Sequence, residues 1–135
     1  MAEQSCKIRD GRDLNLLRVY SEILSRSSFP VNMDDICRRL SHHPADRFWV
    51  SNKRATEMFF RLERGDRLEG MLPMRREMYL EIHRRVCRLR SLFPRWNTTA
   101  LIDEVIRSQA PSFFLEPESV KIILHRAKKR RRARS

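Results

Sequence analysis

The chain is poor in glycine and has no long apolar run. Only three of its 135 residues are glycine, and they never cluster. This excludes a glycine-rich phosphate-binding loop, in which the backbone must approach the ligand closely. No apolar run approaches the ~18 residues that a membrane-spanning helix needs, and the first residues are too polar for a secretory signal. We therefore expect a cytoplasmic protein with no membrane partner.

Cysteine is also scarce. Cys6, Cys37 and Cys87 are odd in number and far apart in the chain. Their spacing fits neither a disulfide framework nor a zinc knuckle. We expect three reduced thiols, with Cys37 and Cys87 acting as small apolar side chains within helices.

Residue patterns typical of catalysis are lacking. His42 and His43 are adjacent and point in different directions, and Glu81 with His83 does not make the two-histidine pattern of a metalloprotease helix. No serine or cysteine stands at a spacing that indicates a nucleophile with its base. The sequence therefore predicts no catalytic residue, no metal, no cofactor, no small-molecule ligand and no enzymatic activity.

Positive charge is the main excess of the chain, and it is unevenly placed. Lysine and arginine outnumber aspartate and glutamate by 29 to 17, which gives a net charge of +12. Residues 1–70 hold 13 basic and 11 acidic residues (+2), whereas residues 71–135 hold 16 and 6 (+10). With 41% hydrophobic residues the chain has enough apolar surface to fold. The second half is where a polyanionic partner is expected to bind.

A second feature is an internal echo at an offset of 65 residues. The first copy has Ala45, Phe48-Trp49-Val50 and Arg61, and the second has Ala110, Phe113-Phe114-Leu115 and Arg126. Self-similarity at a fixed offset is typical of repeated structural units. The echo predicts a tandem helical unit.

The apolar spacing predicts an all-α fold of about six helices. We expect two tandem three-helix pseudo-repeats that share one core, because each is small for a domain of its own. The predicted boundaries are a flexible arm at 1–12, a first three-helix unit at 13–64, a connector at 65–73, a second unit at 74–126 and a basic tail at 127–135.

Local signals place the helix ends. The predicted first residues or caps are Asp13, Asn32, Ser51, Asn97 or Thr98, and Pro117 at the first position of the sixth helix. Phe29-Pro30 is predicted to break the first helix, and Gly11, Gly65 and Gly70 to mark the joints.

The repeated aromatic triplet predicts core packing. An aliphatic residue, Val50 or Leu115, directly precedes each helix start, and a second apolar residue follows five positions later. This is the spacing of a hydrophobic staple. Phe48 and Phe113 are then expected to be buried.

The middle residue of each triplet faces the other way along an extended segment. Trp49 and Phe114 are therefore the candidate exposed aromatic contacts. A rival interpretation makes both triplets a stacking surface for nucleic-acid bases.

The same segments carry a resemblance. Residues 44–50 and 110–115 resemble a family of small uncharacterised bacterial proteins whose halves each have a Pro-Ala-Pro-x-Phe-aromatic-aliphatic segment before a helix. Here Asp46 replaces the second proline of the first copy, and Gln109 stands where the first proline of the second copy would be. The resemblance implies no known activity.

The C-terminal residues are the clearest functional signal. Seven cations without one acid occupy the end of the chain: Arg126, Lys128, Lys129, Arg130, Arg131, Arg132 and Arg134. Such a block repels itself and is expected to order on a polyanion, although a merely solubilising tail remains an alternative.

These patterns lead to a functional hypothesis with one alternative. We expect a nucleic-acid-binding protein, with DNA favoured over RNA, whose phosphate contacts lie in the second half. Further candidate contacts, beyond the tail, are Arg84, Arg88, Lys53, Arg54 and Lys121. The alternative is a helical protein-interaction or assembly module, with a protein partner or a second copy, whose basic tail docks on an acidic surface.

Overall fold

The described residues of the chain form six α-helices. The computed structural model describes residues 2–28 and 31–134, without the side chains of residues 2–5 and 134. The helices are α1 (Ala2–Arg26), α2 (Met33–Ser41), α3 (Asn52–Glu63), α4 (Pro73–Leu92), α5 (Thr98–Arg107) and α6 (Pro117–Arg134). Those residues contain no β-strand, so the prediction of an all-α fold with six helices is confirmed. None of the described helices combines the length and apolar character needed to cross a bilayer.

Three helix starts follow from local capping, as predicted. The Asn32 side chain accepts hydrogen bonds from the backbone at the start of α2, and Ser51 does so for α3. Asn97 accepts the Thr99 N–H at 2.8 Å at the start of α5. Each cap satisfies a backbone donor that the helix itself leaves open. Pro117 is the first residue of α6.

The predictions for the N-terminal region are wrong. Residues 2–12 belong to α1 rather than to a flexible arm, and Gly11 lies inside that helix. Asp13 is also inside α1 and is buried, so it does not cap a helix. Its carboxylate contacts a residue of α6 that is remote in sequence, and local patterns do not reveal such a partner. The predicted break at Phe29-Pro30 lies outside the described residues.

The helices form two compact units that differ from the predicted ones. Unit 1 is Met1–Ala45 with Pro111–Ser135 and holds α1, α2 and α6. Unit 2 is Asp46–Ala110 and holds α3, α4 and α5. The third helix of each predicted unit therefore packs with the first two helices of the other. Apolar spacing could not reveal this exchange, because it shows which face a helix buries but not against which partner. The repeat itself stays a prediction.

Unit 1 buries one face of each of its helices. The buried residues of α6 are Val120, Ile123, Leu124 and Ala127, and those of α1 and α2 include Leu16, Val19, Ile36 and Leu40. The link before α6 is fixed to α2, because Ser112 Oγ donates to the Ser41 carbonyl at 2.8 Å and accepts the Phe114 N–H at 2.9 Å. Phe113 is buried, as predicted.

Unit 2 has the corresponding arrangement. Its core residues are Phe48, Ala55, Met58, Phe59, Met78, Tyr79, Ile82, Val86, Leu101, Ile102, Val105 and Ile106. Here the link before α3 is fixed to the end of α5, because the Phe48 N–H donates to the Ile106 carbonyl at 3.0 Å. Ser41 and Ile106 are themselves 65 residues apart, which is the offset of the sequence echo.

The connector between α3 and α4 is held by a carboxylate. Leu68 is buried with a positive φ of 54°, a conformation that costs energy for a residue other than glycine. The Asp66 carboxylate accepts the Leu68 N–H at 2.8 Å and pairs with Arg61. Both contacts lower the pKa of Asp66, and the hydrogen bond from the Leu68 N–H contributes more than the one from Arg61.

The burial of the two phenylalanines gives a stability test. We expect Phe48→Ala and Phe113→Ala each to lower the free energy of unfolding by about 3 kcal/mol or more, because each leaves a cavity in the core of its unit. Trp49→Ala should cost less, since that ring is only half-buried. Urea denaturation followed by circular dichroism measures all three, and equal losses for Phe48→Ala and Trp49→Ala would contradict the difference in burial.

Candidate nucleic-acid interface

The cations of the C-terminal region lie on a regular helix. α6 runs without interruption from Pro117 to Arg134, so the residues predicted to form a basic tail at 127–135 continue the helix as far as Arg134. One face of α6 is apolar and buried in unit 1. The cations therefore divide into those beside the buried face, which contact unit 1, and those on the outer face. The Arg134 side chain lies outside the described part of the chain.

Arg130 belongs to the first group. It forms a salt bridge with Asp13, and its Nη1 lies 3.1 Å from Asp10 Oδ1. The Asp13 side chain is only 7% exposed and is also contacted by Arg12 at 3.2 Å. A buried carboxylate needs charged or hydrogen-bonding partners to offset its lost hydration. The hydrogen bond to Asp13 raises the pKa of Arg130, which stays charged and ties α6 to α1.

Lys128 and Lys121 also contact unit 1. Lys128 Nζ donates to Tyr20 Oη at 2.8 Å and lies 4.0 Å from the centroid of that ring. Such a placement combines a hydrogen bond with a cation–π contact. Lys121 Nζ lies 3.6 Å from an Asp34 carboxylate oxygen, in an exposed pair that contributes little to stability.

The other described cations of α6 are exposed: Arg126, Lys129, Arg131 and Arg132. Arg126, Lys129 and Arg132 are exposed and follow one another at three-residue intervals, so they lie on adjacent positions of the outer face. Arg126 and Lys129 form no ion pair with any other described residue. Arg9 of α1 lines a cavity of about 420 Å³ together with them. We call Arg9, Arg126, Lys129 and Arg132 the basic face.

The predicted contacts on α3 belong to unit 2. Lys53 and Arg54 lie in the first turn of α3, and Arg54 Nη1 is 3.1 Å from Glu57 Oε2. Both line a cavity of about 770 Å³ to which Arg61 and Arg64 also contribute. Four cations therefore line this cavity, and acids pair with at least two of them, Glu57 with Arg54 and Asp66 with Arg61.

Arg84 and Arg88 lie one turn apart on α4, also in unit 2. Arg84 is engaged by Glu81, whose carboxylate accepts its Nε–H at 3.0 Å and that of Arg85 at 2.7 Å. Burial alone would raise the pKa of Glu81, but these two arginines lower it below its usual value. Arg88 is exposed and forms no ion pair within the described chain.

The candidate exposed aromatics are less accessible than expected. Trp49 and Phe114 are half-buried, and the Arg47 guanidinium lies 5.3 Å from the Trp49 ring centroid. Phe93 and Trp96 are more exposed, at 44% and 54%, with ring centroids 5.3 Å apart. They follow the end of α4 at Leu92, and Pro94 lies between them.

One group of chemically active side chains was missed at the sequence level. Glu63 ends α3, and its carboxylate meets His83 and Cys87, which lie one turn apart on α4. Hydrogen bonds with His83 and Arg90 lower the pKa of Glu63, and the one with His83 contributes more. The four-residue spacing of His83 and Cys87 was a detectable signal, but their third partner is 20 residues upstream. All three cysteines are free thiols, as predicted.

Comparison with known proteins found no relative of this chain. Models of known protein families, curated proteins and solved structures each gave no match to the chain.

The two kinds of α6 cation should differ in their effect on stability. Arg130→Gln should lower the free energy of unfolding by about 1–2 kcal/mol, because it leaves the buried Asp13 with Arg12 as its remaining cation. The matched control Lys129→Gln removes the same charge from the outer face and should stay within about 0.5 kcal/mol of wild type. Urea denaturation measures both, and equal effects would show that the Arg130 contacts do not stabilise unit 1.

Proposed function

We propose that the protein is a non-enzymatic, cytoplasmic nucleic-acid-binding protein that contacts the phosphate backbone through the basic face. The observation that carries the proposal is the division of cations on α6. Acidic or aromatic groups of unit 1 engage Lys121, Lys128 and Arg130, whereas Arg126 and Lys129 form no ion pair with any side chain that the structure describes. A cation that no acid neutralises retains its full attraction for phosphate.

The dimensions of the basic face suit a short stretch of one strand. A helix rises 1.5 Å per residue, so Arg126 and Arg132 are separated by about 9 Å along α6. Phosphates of one DNA strand follow one another at about 3.4 Å along the duplex axis. The face therefore covers two or three phosphates of a strand. Such contacts position a protein on nucleic acid without reading its sequence.

Duplex DNA is favoured over RNA by the composition and shape of α6. The helix carries no Phe, Tyr or Trp, and aromatic rings are what single-stranded bases stack on. A single helix fits the major groove of B-form DNA, whereas that of A-form RNA is too narrow. Further phosphate contacts are proposed from unit 2, at Lys53, Arg54, Arg84 and Arg88.

Counterion release gives a quantitative test. The triple variant Arg126→Gln/Lys129→Gln/Arg132→Gln should bind duplex DNA more weakly than wild type, because it loses three phosphate contacts. The slope of log K against log salt should fall by about 2–3, at roughly 0.9 per contact. Fluorescence anisotropy with labelled duplex DNA and with a structured RNA, across a potassium chloride series, measures both quantities.

A matched control separates a site from net charge. Arg67→Gln/Arg75→Gln/Arg95→Gln removes three exposed arginines of unit 2 and lowers the net charge by the same amount. We expect its salt slope to stay close to that of wild type. Equal losses in the two triple variants would overturn the basic face as the site. Absence of binding to both nucleic acids at near-physiological salt would overturn the function and favour an assembly module.

A further inference from the structure

Three metal-ligating atoms of different chemistry converge in unit 2. His83 Nε2 lies 2.8 Å from Glu63 Oε1 and 3.5 Å from Cys87 Sγ. Cys87 Sγ lies 3.7 Å from the same Glu63 oxygen. The three atoms therefore form a compact triangle that joins the end of α3 to one face of α4.

This triangle has nearly the size of one face of a zinc tetrahedron. Zinc binds histidine nitrogen at about 2.0–2.1 Å, carboxylate oxygen at about 2.0–2.2 Å and thiolate sulfur at about 2.3 Å. Tetrahedral angles then separate the ligand atoms by about 3.3–3.6 Å. Two of the three observed separations are already within about 0.2 Å of this range. Only His83 and Glu63 have to move apart, by about half an ångström.

The surroundings hold two of the ligands in place. The Phe59 ring lies against the His83 imidazole, with ring centroids 5.1 Å apart. His83 and Cys87 are half-buried and share the same face of α4 because they are four residues apart. Two ligands at this spacing on one helix face are a recurrent element of zinc sites.

We propose that Glu63, His83 and Cys87 bind a zinc ion, with water in the fourth position. The pairing of an imidazole with a thiolate favours zinc, because magnesium and calcium prefer oxygen ligands. The Cys87 thiol loses its proton to solvent when the ion binds. The bound ion would link α3 to α4. This site lies in unit 2 and does not depend on the basic face.

Arg90 is the group that opposes the ion. Its Nη2 lies 3.2 Å from Glu63 Oε1 and 3.6 Å from Cys87 Sγ, so its charge occupies part of the space around the ligands. The side chain is 38% exposed and can turn towards solvent when a cation enters. The positive charge of Arg90 lowers the affinity of the site for a metal ion, so replacing Arg90 with a neutral residue should strengthen metal binding.

Cobalt titration tests the site directly. The reduced full-length chain, titrated with Co²⁺, should develop a thiolate-to-cobalt charge-transfer band and the visible bands of tetrahedral cobalt, and Zn²⁺ should abolish both. Cys87→Ser and His83→Ala should lose these bands. Cys6→Ser, which removes the exposed thiol of unit 1, should keep them. Absence of a charge-transfer band in the wild-type chain, or its persistence in Cys87→Ser, would overturn the site.

A second measurement uses the opposing charge. Arg90→Gln should bind Co²⁺ about tenfold more tightly, because a cation beside the ligands has been removed. Arg88→Gln is the matched control, since it removes an exposed arginine two residues away on α4 and should change the affinity less than about twofold. Circular dichroism confirms that each variant remains helical. Equal affinities of the two variants would show that the ion does not bind beside Arg90.

Discussion

The extended links that precede α3 and α6 organise both units. Each link has to find hydrogen-bond partners for its backbone and to bury a phenylalanine. In unit 2 the Phe48 N–H donates to the carbonyl of Ile106, at the end of α5. In unit 1 Ser112 donates to the carbonyl of Ser41, at the end of α2. Each link thereby reaches the second helix of the other half of the chain. The helix after each link packs with that half as well. α6 therefore packs with α1 and α2, and α3 packs with α4 and α5.

The placement of α6 gives its cations two different physical situations. Those near the buried face meet acids and an aromatic ring of unit 1, and Arg130 helps to balance the buried Asp13. Those on the outer face meet solvent. A run of basic residues that looks uniform in sequence is therefore divided by the helical period into cations that contact the buried side of unit 1 and cations that are exposed.

Features that depend on neighbouring residues were predictable from sequence. The starts of α2, α3 and α5 follow from Asn32, Ser51 and Asn97, because a cap acts on donors within three residues. Burial of Phe48 and Phe113 followed from the spacing of apolar residues around them.

Features that depend on distant partners were not predictable. Asp13 was wrongly predicted as a cap because its partner Arg130 is 117 residues away. The sequence also did not reveal that α3 packs with α4 and α5, or that α6 packs with α1 and α2. Amphipathic spacing shows which face of a helix is buried, but not which helix covers it. Glu63, His83 and Cys87 likewise become a group only when α3 and α4 are packed.

The division into units also sets an order for folding during synthesis. Unit 2 is a continuous segment, 46–110, and all its helices have been made before α6 exists. Unit 1 is discontinuous, so α1 and α2 leave the ribosome long before the helix that covers them. Their apolar faces, with Leu16, Ile36 and Leu40, must wait for the synthesis of α6. In a nascent chain, α1 and α2 therefore lack the helix that covers them until the C-terminal segment has emerged.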